Sequence, residues 1–515
     1  MTNSQSAPEY PDKIDAAVLK VAGVVVLGAI MSILDITVVN VALPTFQTDF
    51  GTVDHPLAYS TVAWTVTAYT LALATVIPLT GWAADRFGTK RLYMTAIALF
   101  TIGSVLCAMA WSIEALIAFR VVQGLGGGML MPLGMTIMTR AAGPQRMGRL
   151  MAILGVPMLL GPILGPILGG WLIDAASWHW VFLINLPIGL IAMVYAWRVL
   201  DADRPEPSES FDVVGMLMMS PGLALFLFGI SSIPEEGTIA APRVWITMLV
   251  GAALVIGFVF YSFKPQHPLL DLRLFRNRNL TVSIITMFLF GAAFFGGLLL
   301  VPTYFQQVRG ESVLMAGLLV APQGIGAMLT MPIAGALADR FPVGRIVPVG
   351  LLLILIGMFG LTQIEADTSY AFLIGTLFVM GLGMGATMMP IMTSALRTLT
   401  HHEVARGSTL LNITQQIASS VGVAVMSVLL TNGLKSSDLA GPAIASQADP
   451  SLVDRIGGPA AVAKGLSDAA EAFAHTYWVA LAMVAVTVVS ALFLPRKREA
   501  SRLLDDEGQP PVVIH

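Results

Sequence analysis

Gly81-Trp-Ala-Ala-Asp85-Arg86-Phe87-Gly88-Thr-Lys90-Arg91 and Gly335-Ala-Leu-Ala-Asp339-Arg340-Phe341-Pro342-Val-Gly344-Arg345 are two copies of one short polar turn. Each copy places a glycine four residues before an Asp-Arg pair. The copies follow the second and the tenth long apolar stretches of the chain, so eight predicted helices separate them. A repeat at that distance predicts two six-helix halves with two extra helices between them.

Apolar stretches make up most of the chain. Of its 515 residues, 56% are hydrophobic and 11% are charged, and a soluble enzyme of that composition would aggregate. Fourteen stretches approach or exceed the roughly 20 residues that a helix needs to cross a hydrocarbon core. The sequence therefore predicts an all-α polytopic membrane protein with fourteen transmembrane helices arranged 6+2+6. The predicted spans are 21–43, 60–80, 92–111, 115–139, 150–173, 180–197, 211–231, 244–263, 280–304, 313–337, 346–363, 369–396, 407–431 and 472–494.

These spans divide the chain into five parts. The second bundle carries one long external loop, 432–471, which is rich in Ala, Gly, Ser and Asp and is expected to be disordered or to carry a short helix or two. The parts are an N-terminal tail (1–20), a first six-helix bundle (21–197), two linker helices with their connectors (198–279), a second six-helix bundle (280–495) and a C-terminal tail (496–515).

The distribution of basic residues predicts the orientation. An even number of helices places both termini on one side of the membrane. Most of the 28 Lys and Arg residues lie in the termini and in alternate loops, and the positive-inside rule identifies those segments as cytoplasmic. We therefore predict a protein of the cytoplasmic (inner) membrane with both termini in the cytoplasm.

Charge and motif content argue against several functions. The formal net charge is -3, and no basic stripe is available for nucleic-acid phosphates. No Gly-x-x-x-x-Gly-Lys-Ser/Thr motif is present, so ATP is not expected to drive transport. The adjacent His401 and His402 have no Cys or carboxylate partners at ligand spacing, so we expect no metal site and no cofactor.

Two ionisable residues inside the predicted spans matter most, Asp35 in the first and Arg120 in the fourth. A charge in hydrocarbon costs several kcal/mol unless it is paired, protonated or hydrated, so such residues point to function. At 1.5 Å per residue, both lie about 12 to 13 Å from the predicted outer end of their helix. We expect them to face one cavity, as a direct pair or through water, with Gln123 one turn along from Arg120.

The predicted pair suits proton exchange. Desolvation favours the protonated form of Asp35, whereas Arg120 favours its carboxylate, so a change in their distance would load and release a proton. The alternative is a fixed ion pair that only orients the first and fourth helices.

The repeated turn predicts a conformational latch. Glycine permits close approach of two helices, and an Asp beside an Arg allows a charge cluster at a helix end. Positive-inside anchoring alone would explain the basic residues but not the repeated Gly and Asp. The residues to which we assign gating are Gly81, Asp85, Arg86, Gly88, Arg91, Asp339 and Arg340.

The fifth predicted span carries small residues at every fourth position together with two prolines. Small residues let another helix approach the backbone, and each proline removes a hydrogen bond and bends the helix. This pattern predicts a bent, closely packed seam, for which plain packing is the alternative. The seam residues are Gly161, Pro162, Gly165, Pro166, Gly169 and Gly170.

Amide side chains in other spans are candidates for a substrate cavity. Any of them could hydrogen-bond a substrate, although hydrogen bonding between helices is the commoner role. Some of the 28 Met and 24 Phe residues could add an adaptable apolar surface. The cavity candidates are Asn40, Gln323, Asn412, Gln415 and Gln416.

Taken together, these motifs resemble the major facilitator superfamily, specifically its fourteen-helix drug:proton antiporter branch. The likeness covers roughly residues 20–495. Gln415 stands where that branch often has Arg, which is a departure from the pattern. The matching segments are Leu34 to Pro44 for the first-helix signature, Gly81 to Arg91 for the cytoplasmic loop motif, Arg120-Val-Val-Gln123-Gly124 for the fourth-helix motif associated with proton coupling, and Gly161 to Gly170 for the antiporter motif.

The resemblance implies two bundles that rock about a central cavity, driven by the proton gradient, and export amphipathic, often cationic, drugs or toxic compounds. A second hypothesis is export of an endogenous lipid or a siderophore-like metabolite. A third is a membrane sensor or scaffold whose loop 432–471 binds a partner protein. The expected partners are a small amphipathic substrate, protons and the lipid bilayer, and the protein is expected to function as a monomer.

Overall fold

The regular structure of the described residues is helical throughout. Thirteen of the described helices are long and apolar enough to cross a membrane. The one remaining predicted span, the fifth, coincides with a further apolar helix, Met147–Ala175, so the predicted all-α membrane fold is confirmed. The structure is a computed structural model that describes residues 15–51, 57, 59–142, 146–201, 211–236, 238–400, 403–448 and 450–497.

The helices follow the predicted order, with two spans broken in the middle. The sixth span consists of α6 and α7, and the twelfth consists of α13 and α14. The helices are α1 (Ala16–Asp49), α2 (Tyr59–Phe87), α3 (Thr89–Ala108), α4 (Ile113–Ala142), α5 (Met147–Ala175), α6 (His179–Leu183), α7 (Asn185–Val199), α8 (Val213–Glu236), α9 (Pro242–Tyr261), α10 (Arg278–Gln307), α11 (Val313–Arg340), α12 (Val343–Leu361), α13 (Tyr370–Gly385), α14 (Met388–Arg397), α15 (Glu403–Lys435), α16 (Ala440–Ala448), α17 (Leu452–Arg455) and α18 (Pro459–Ala491), with a short 3-10 helix at Leu272–Arg276.

The segment 432–471 is more ordered than a loop. It contains the end of α15, both short helices α16 and α17, and the first turns of α18. Gly458 has a φ of +85°, in a region that favours glycine, and Pro459 follows at the first position of α18, where its fixed φ suits a helix start. The segment also packs back on its own half, because the Gln447 side chain donates to the Gln307 carbonyl at 3.0 Å.

Helix α4 packs backbone to backbone between α2 and α3. A Cβ atom at Gly126 would lie 2.4 Å from the Phe100 amide nitrogen on α3, and one at Gly124 would lie 2.6 Å from the Tyr69 carbonyl oxygen on α2. Because neither position leaves room for a side chain, the interior of the first half is built around the α4 backbone. This packing places Arg120 deep inside the first half, where its side chain is fully buried.

The linker helix α8 joins the two halves along one side of the bundle. Leu223 and Leu227 of α8 share a buried apolar cluster with Ile77 of α2 and Ile413 of α15. The start of α8 is fixed by Asp212, whose carboxylate accepts hydrogen bonds from the Gly215 amide at 2.8 Å, the Tyr261 hydroxyl at 2.9 Å and the Leu269 amide at 3.0 Å. The extra helices are therefore packed into the fold and are not a loose tether.

Replacing Gly126 with Ala is expected to destabilise the protein. The added methyl group would force α3 away from α4, which costs about 1–3 kcal/mol, so the apparent melting temperature of the detergent-purified protein should fall by several degrees. Gly375→Ala is the matched control, since a Cβ atom there meets nothing within 4 Å. Equal melting temperatures for the two variants would contradict this account of the packing.

Candidate functional site

Asp35, Arg120 and Gln123 form one closed hydrogen-bonded group in the first half. Arg120 Nη1 donates to Asp35 Oδ2 at 2.5 Å and to Gln123 Oε1 at 2.8 Å, while Gln123 Nε2 donates to Asp35 Oδ1 at 2.7 Å. The side chains of the ion pair have no solvent exposure. Of the two arrangements expected from the sequence, a direct pair or a water-mediated one, the structure has the direct pair.

Neighbouring helices hold the Arg120 guanidinium from its other sides. Its Nε donates to the Thr65 carbonyl oxygen on α2 at 3.0 Å, and its Cζ lies 4.1 Å from the centre of the Tyr69 ring. A ring face at that distance attracts a cation, most strongly where water is absent. The charge of Arg120 is thus stabilised by a carboxylate, a carbonyl and an aromatic ring together.

A central cavity of about 450 Å³ lies between the halves, beside this buried group. Ser32, Ile36 and Thr37 of α1 line it, whereas Asp35 faces away from it into the first half. The expectation that Asp35 and Arg120 face the cavity is therefore wrong in detail, because at about 100° per residue position 35 points at least about 100° around α1 from the cavity-lining positions 33, 36 and 37. One contact joins the two regions, since the hydroxyls of Ser32 and Tyr69 lie 3.3 Å apart.

The polar part of the cavity wall comes mainly from one face of α15. Three of the five amides predicted from the sequence line the cavity, while Asn40 is exposed on α1 and Gln323 is buried on α11, where its Nε2 lies 3.1 Å from Met384 Sδ. The side chain of Asn412 also donates to the Ser408 carbonyl at 2.8 Å. The polar lining residues are Ser32, Thr37, Thr70, Ser231, Asn412, Gln415, Gln416, Ser419 and Ser420.

The seam on α5 packs against α1 next to Asp35. A Cβ atom at Gly161 would lie 2.1 Å from the side chain of Ile33, and one at Gly165 would lie 2.0 Å from that of Thr37. Gly169 makes a wider contact with Val38, and Gly170 faces open space. The side chains of Pro162 and Pro166 lie outside the described part of the structure. Two of the residues that line the cavity on α1, Ile33 and Thr37, are thus held by the α5 glycines.

Both repeated turns lie on one face of the bundle, here named the motif face, and each contacts the opposite half. Asp339 of α11 accepts from the Gly148 amide at 2.8 Å and from Arg149 Nε at 3.0 Å, both on α5. In the other copy, Asp85 of α2 lies 3.7 Å from an Arg140 nitrogen on α4 and 3.8 Å from Arg406 Nε on α15. The two turns therefore bridge the halves in both directions.

The turn glycines bring the same helices into contact. A Cβ atom at Gly335 would lie 2.5 Å from the Gly148 carbonyl oxygen, and one at Gly81 would lie 3.1 Å from the Thr409 hydroxyl on α15. Gly88 has a φ of +85° and caps α3. Arg91 and Arg340 are exposed, and Arg86 is half-buried. The halves are thus closed against each other at the motif face, below the cavity.

Several residues of this site were not singled out from the sequence. Tyr69 and Thr65 contact Arg120, but the sequence does not predict which side chain a tyrosine or threonine in an apolar span will contact. Ser231 lines the cavity from α8, although the linker helices were assigned only a connecting role. Ser419 and Ser420 could have been found, because they lie on the same helical face as Asn412 and Gln416.

Comparison with known proteins agrees with these observations. The sequence profile of the Major Facilitator Superfamily matches residues 25–423. The chain is 48% identical over 511 residues to a multidrug resistance protein B homolog of Mycobacterium tuberculosis, covering 96% of this chain and 93% of that one. It is 31% identical to the multidrug export protein EmrB of Haemophilus influenzae, over 83% of each. The solved structure of the proton:xylose symporter XylE shares the fold, with a TM-score of 0.60 at 15% identity over 96% of this chain and 99% of that one.

Replacing Asp339 with Asn should open the motif face. The substitution removes the negative charge of Asp339, which the N-terminus of α5 stabilises by about 1–2 kcal/mol. The ratio of open to closed molecules should therefore rise roughly five- to thirty-fold. The measurement is the rate at which a membrane-impermeant maleimide, added on the motif-face side, labels a cysteine placed at Ser420 in a Cys107→Ala background.

The control for this experiment is Asp367→Asn. Asp367 is exposed in the turn between α12 and α13, so its charge does not bridge the two halves at the motif face. An equal labelling rate in the Asp339→Asn variant and the control would show that the Asp339 contacts do not hold the halves closed.

Proposed function

The chain belongs to the major facilitator superfamily, and we propose that it exports drug-sized amphipathic compounds across the cytoplasmic membrane in exchange for protons. The observation that carries the proposal is the buried group of Asp35, Arg120 and Gln123 beside, but outside, a central cavity. Relatives named for multidrug resistance and multidrug export support the cargo class. The cavity volume of about 450 Å³ is also in the range of sites for drug-sized ligands.

Asp35 is the proton carrier in this proposal. As a carboxylate it is stabilised by Arg120 and Gln123; once these contacts lengthen, the desolvated carboxylate becomes costly and takes up a proton. The change is reversible because the partners stay nearby on α4. Ser32, which lines the cavity and contacts Tyr69 beside Arg120, gives a bound substrate a way to favour the intact pair and so to release the proton from Asp35.

Alternating access follows from the contacts between the halves. We propose that the motif face is cytoplasmic, because the basic residues of the sequence concentrate in the loops and termini on that side. The described structure, closed at the motif face, then corresponds to the state that can open outward. Opening inward would require the bridges at Asp85 and Asp339 to break while the α8 contacts with both halves are rearranged.

A single chain is sufficient for this mechanism. Both walls of the cavity come from one chain, α1, α2 and α4 on one side and α10 and α15 on the other, which supports a functional monomer. The segment 432–471 is proposed as the surface that a partner protein outside the cell would meet, since α16 and α17 are presented beyond the ends of the spans.

Replacing Asp35 with Asn should abolish proton coupling. An amide can still accept a hydrogen bond from Arg120 but cannot carry a proton, so transport driven by a pH gradient in liposomes should fall by about ten-fold or more. Gradient-independent exchange of labelled for unlabelled substrate should persist, which would show that the variant is folded and still binds.

Asp49→Asn is the matched control, because Asp49 is an exposed carboxylate at the end of the same helix. It should leave coupling unchanged. Undiminished pH-driven transport by the Asp35→Asn variant would overturn the assignment of Asp35 as the proton carrier.

A further inference from the structure

The central cavity is lined by polar groups that carry no charge. Its polar residues contribute hydroxyl and amide groups, and none of the described residues that line it has an ionisable side chain. We infer that the exported cargo carries no net charge, so that each exchange moves one positive charge into the cell. This inference rests on the proposed function, because it specifies the cargo of the same site.

The hydrogen-bonding groups are concentrated on one wall. Asn412, the adjacent Gln415 and Gln416, and the adjacent Ser419 and Ser420 recur every three to four residues and share one face of α15. Gln415 Oε1 is buried and has no hydrogen-bond partner among the described residues. An unpaired buried acceptor is costly unless a ligand or water satisfies it. A cargo hydroxyl or amide donor would satisfy it.

The facing wall suits the other part of such a cargo. Ile33 and Ile36 of α1, Leu73 of α2 and Met131 of α4 supply an apolar surface. A wall rich in amides and hydroxyls opposite a mainly apolar wall, which adds the hydroxyls of Ser32, Thr37 and Thr70, suits an amphipathic molecule with hydroxyl or amide groups along one edge. The described residues of the cavity provide no charged partner for an ammonium, phosphonium or carboxylate group.

Asp35 cannot serve as the counter-charge for a cationic cargo. Both of its oxygens are engaged, one by Arg120 and the other by Gln123, and its side chain is fully buried on the far side of the cavity wall. When the proton has left, Asp35 and Arg120 form a neutral pair. When the proton is bound, only the positive charge of Arg120 remains. The site is therefore neutral or positive, and never negative.

Antiport links these charge states to the cargo. The cargo occupies the cavity in the half-cycle in which the proton has been released, when the pair is neutral. A cation or an anion would then leave water for a cavity without a compensating charge, which is strongly unfavourable. An uncharged amphipathic molecule avoids this cost. Because one proton enters for each uncharged molecule that leaves, the membrane potential as well as the pH gradient drives export.

The test uses the full chain in liposomes with the motif face toward the medium, equal pH on both sides and a potassium diffusion potential that is positive inside. The probes are chloramphenicol, which is uncharged and carries hydroxyl and amide groups, and tetraphenylphosphonium, a permanent cation. The potential alone should accumulate chloramphenicol in the lumen about three-fold or more over liposomes without a potential. Tetraphenylphosphonium should not be accumulated by the protein.

A designed gain of function tests the role of the cavity charge. Gln415→Glu places a carboxylate at the unpaired amide, so protein-dependent transport of tetraphenylphosphonium driven by a pH gradient should rise by about five-fold or more over the native protein. Asn40→Asp is the matched control, since it makes the same amide-to-acid change on an exposed residue outside the cavity. It should leave the native selectivity unchanged.

The outcomes separate this inference from the proposed function. The inference of an uncharged cargo is overturned, while proton-driven export stands, by either of two results. One is transport of tetraphenylphosphonium by the native protein under the pH gradient; the other is chloramphenicol export that does not depend on the membrane potential. If neither probe moves under either gradient, the export function itself is overturned and the inference with it.

Discussion

The ion pair between Asp35 and Arg120 is the constraint on which the first half depends. A charge without a partner cannot remain in a hydrocarbon environment, so the helices that carry the two residues must meet at one depth. The meeting requires α4 to lie unusually close to α2 and α3, which the absence of side chains at Gly124 and Gly126 permits. The glycines of α4 thus allow the close helix packing that brings the two buried charges together.

Because this pair lies outside the cavity, proton binding and substrate binding are assigned to two different regions of the protein. The first half holds the proposed proton site, and α15 of the second half supplies the larger share of the polar cavity wall. In the proposed mechanism coupling can pass through α1, which carries Asp35 on one side and cavity-lining residues on another, and through α4, which carries Arg120 and lines the cavity at Met131. The α5 glycines pack against Ile33 and Thr37, so a movement of α5 relative to α1 changes both regions at once.

The sequence was sufficient for the fold and for the pairing of Asp35 with Arg120, but only partly for the cavity. Asp35 and Arg120 could be identified because charge in an apolar span is costly, and their depths follow from the helical rise. Which side a residue faces does not follow from depth, and for that reason Asn40 and Gln323 were included among the cavity residues and Tyr69 was missed. Of the two alternatives for 432–471, disorder or a short helix or two, the structure has the helices α16 and α17; the sequence left this open because alanine and glycine are common in loops and in closely packed helices alike.

The two bridges at the motif face differ in geometry, although the turns that form them are copies. Asp339 is almost fully buried and accepts hydrogen bonds of 2.8 and 3.0 Å from the start of α5. Asp85 faces two guanidinium groups at 3.7 and 3.8 Å and is more exposed. Asp339 is thus tied to the backbone of the opposite half, whose position is fixed by α5 itself. The two Asp85 ion pairs reach side chains on α4 and α15, which can follow their helices over a short movement.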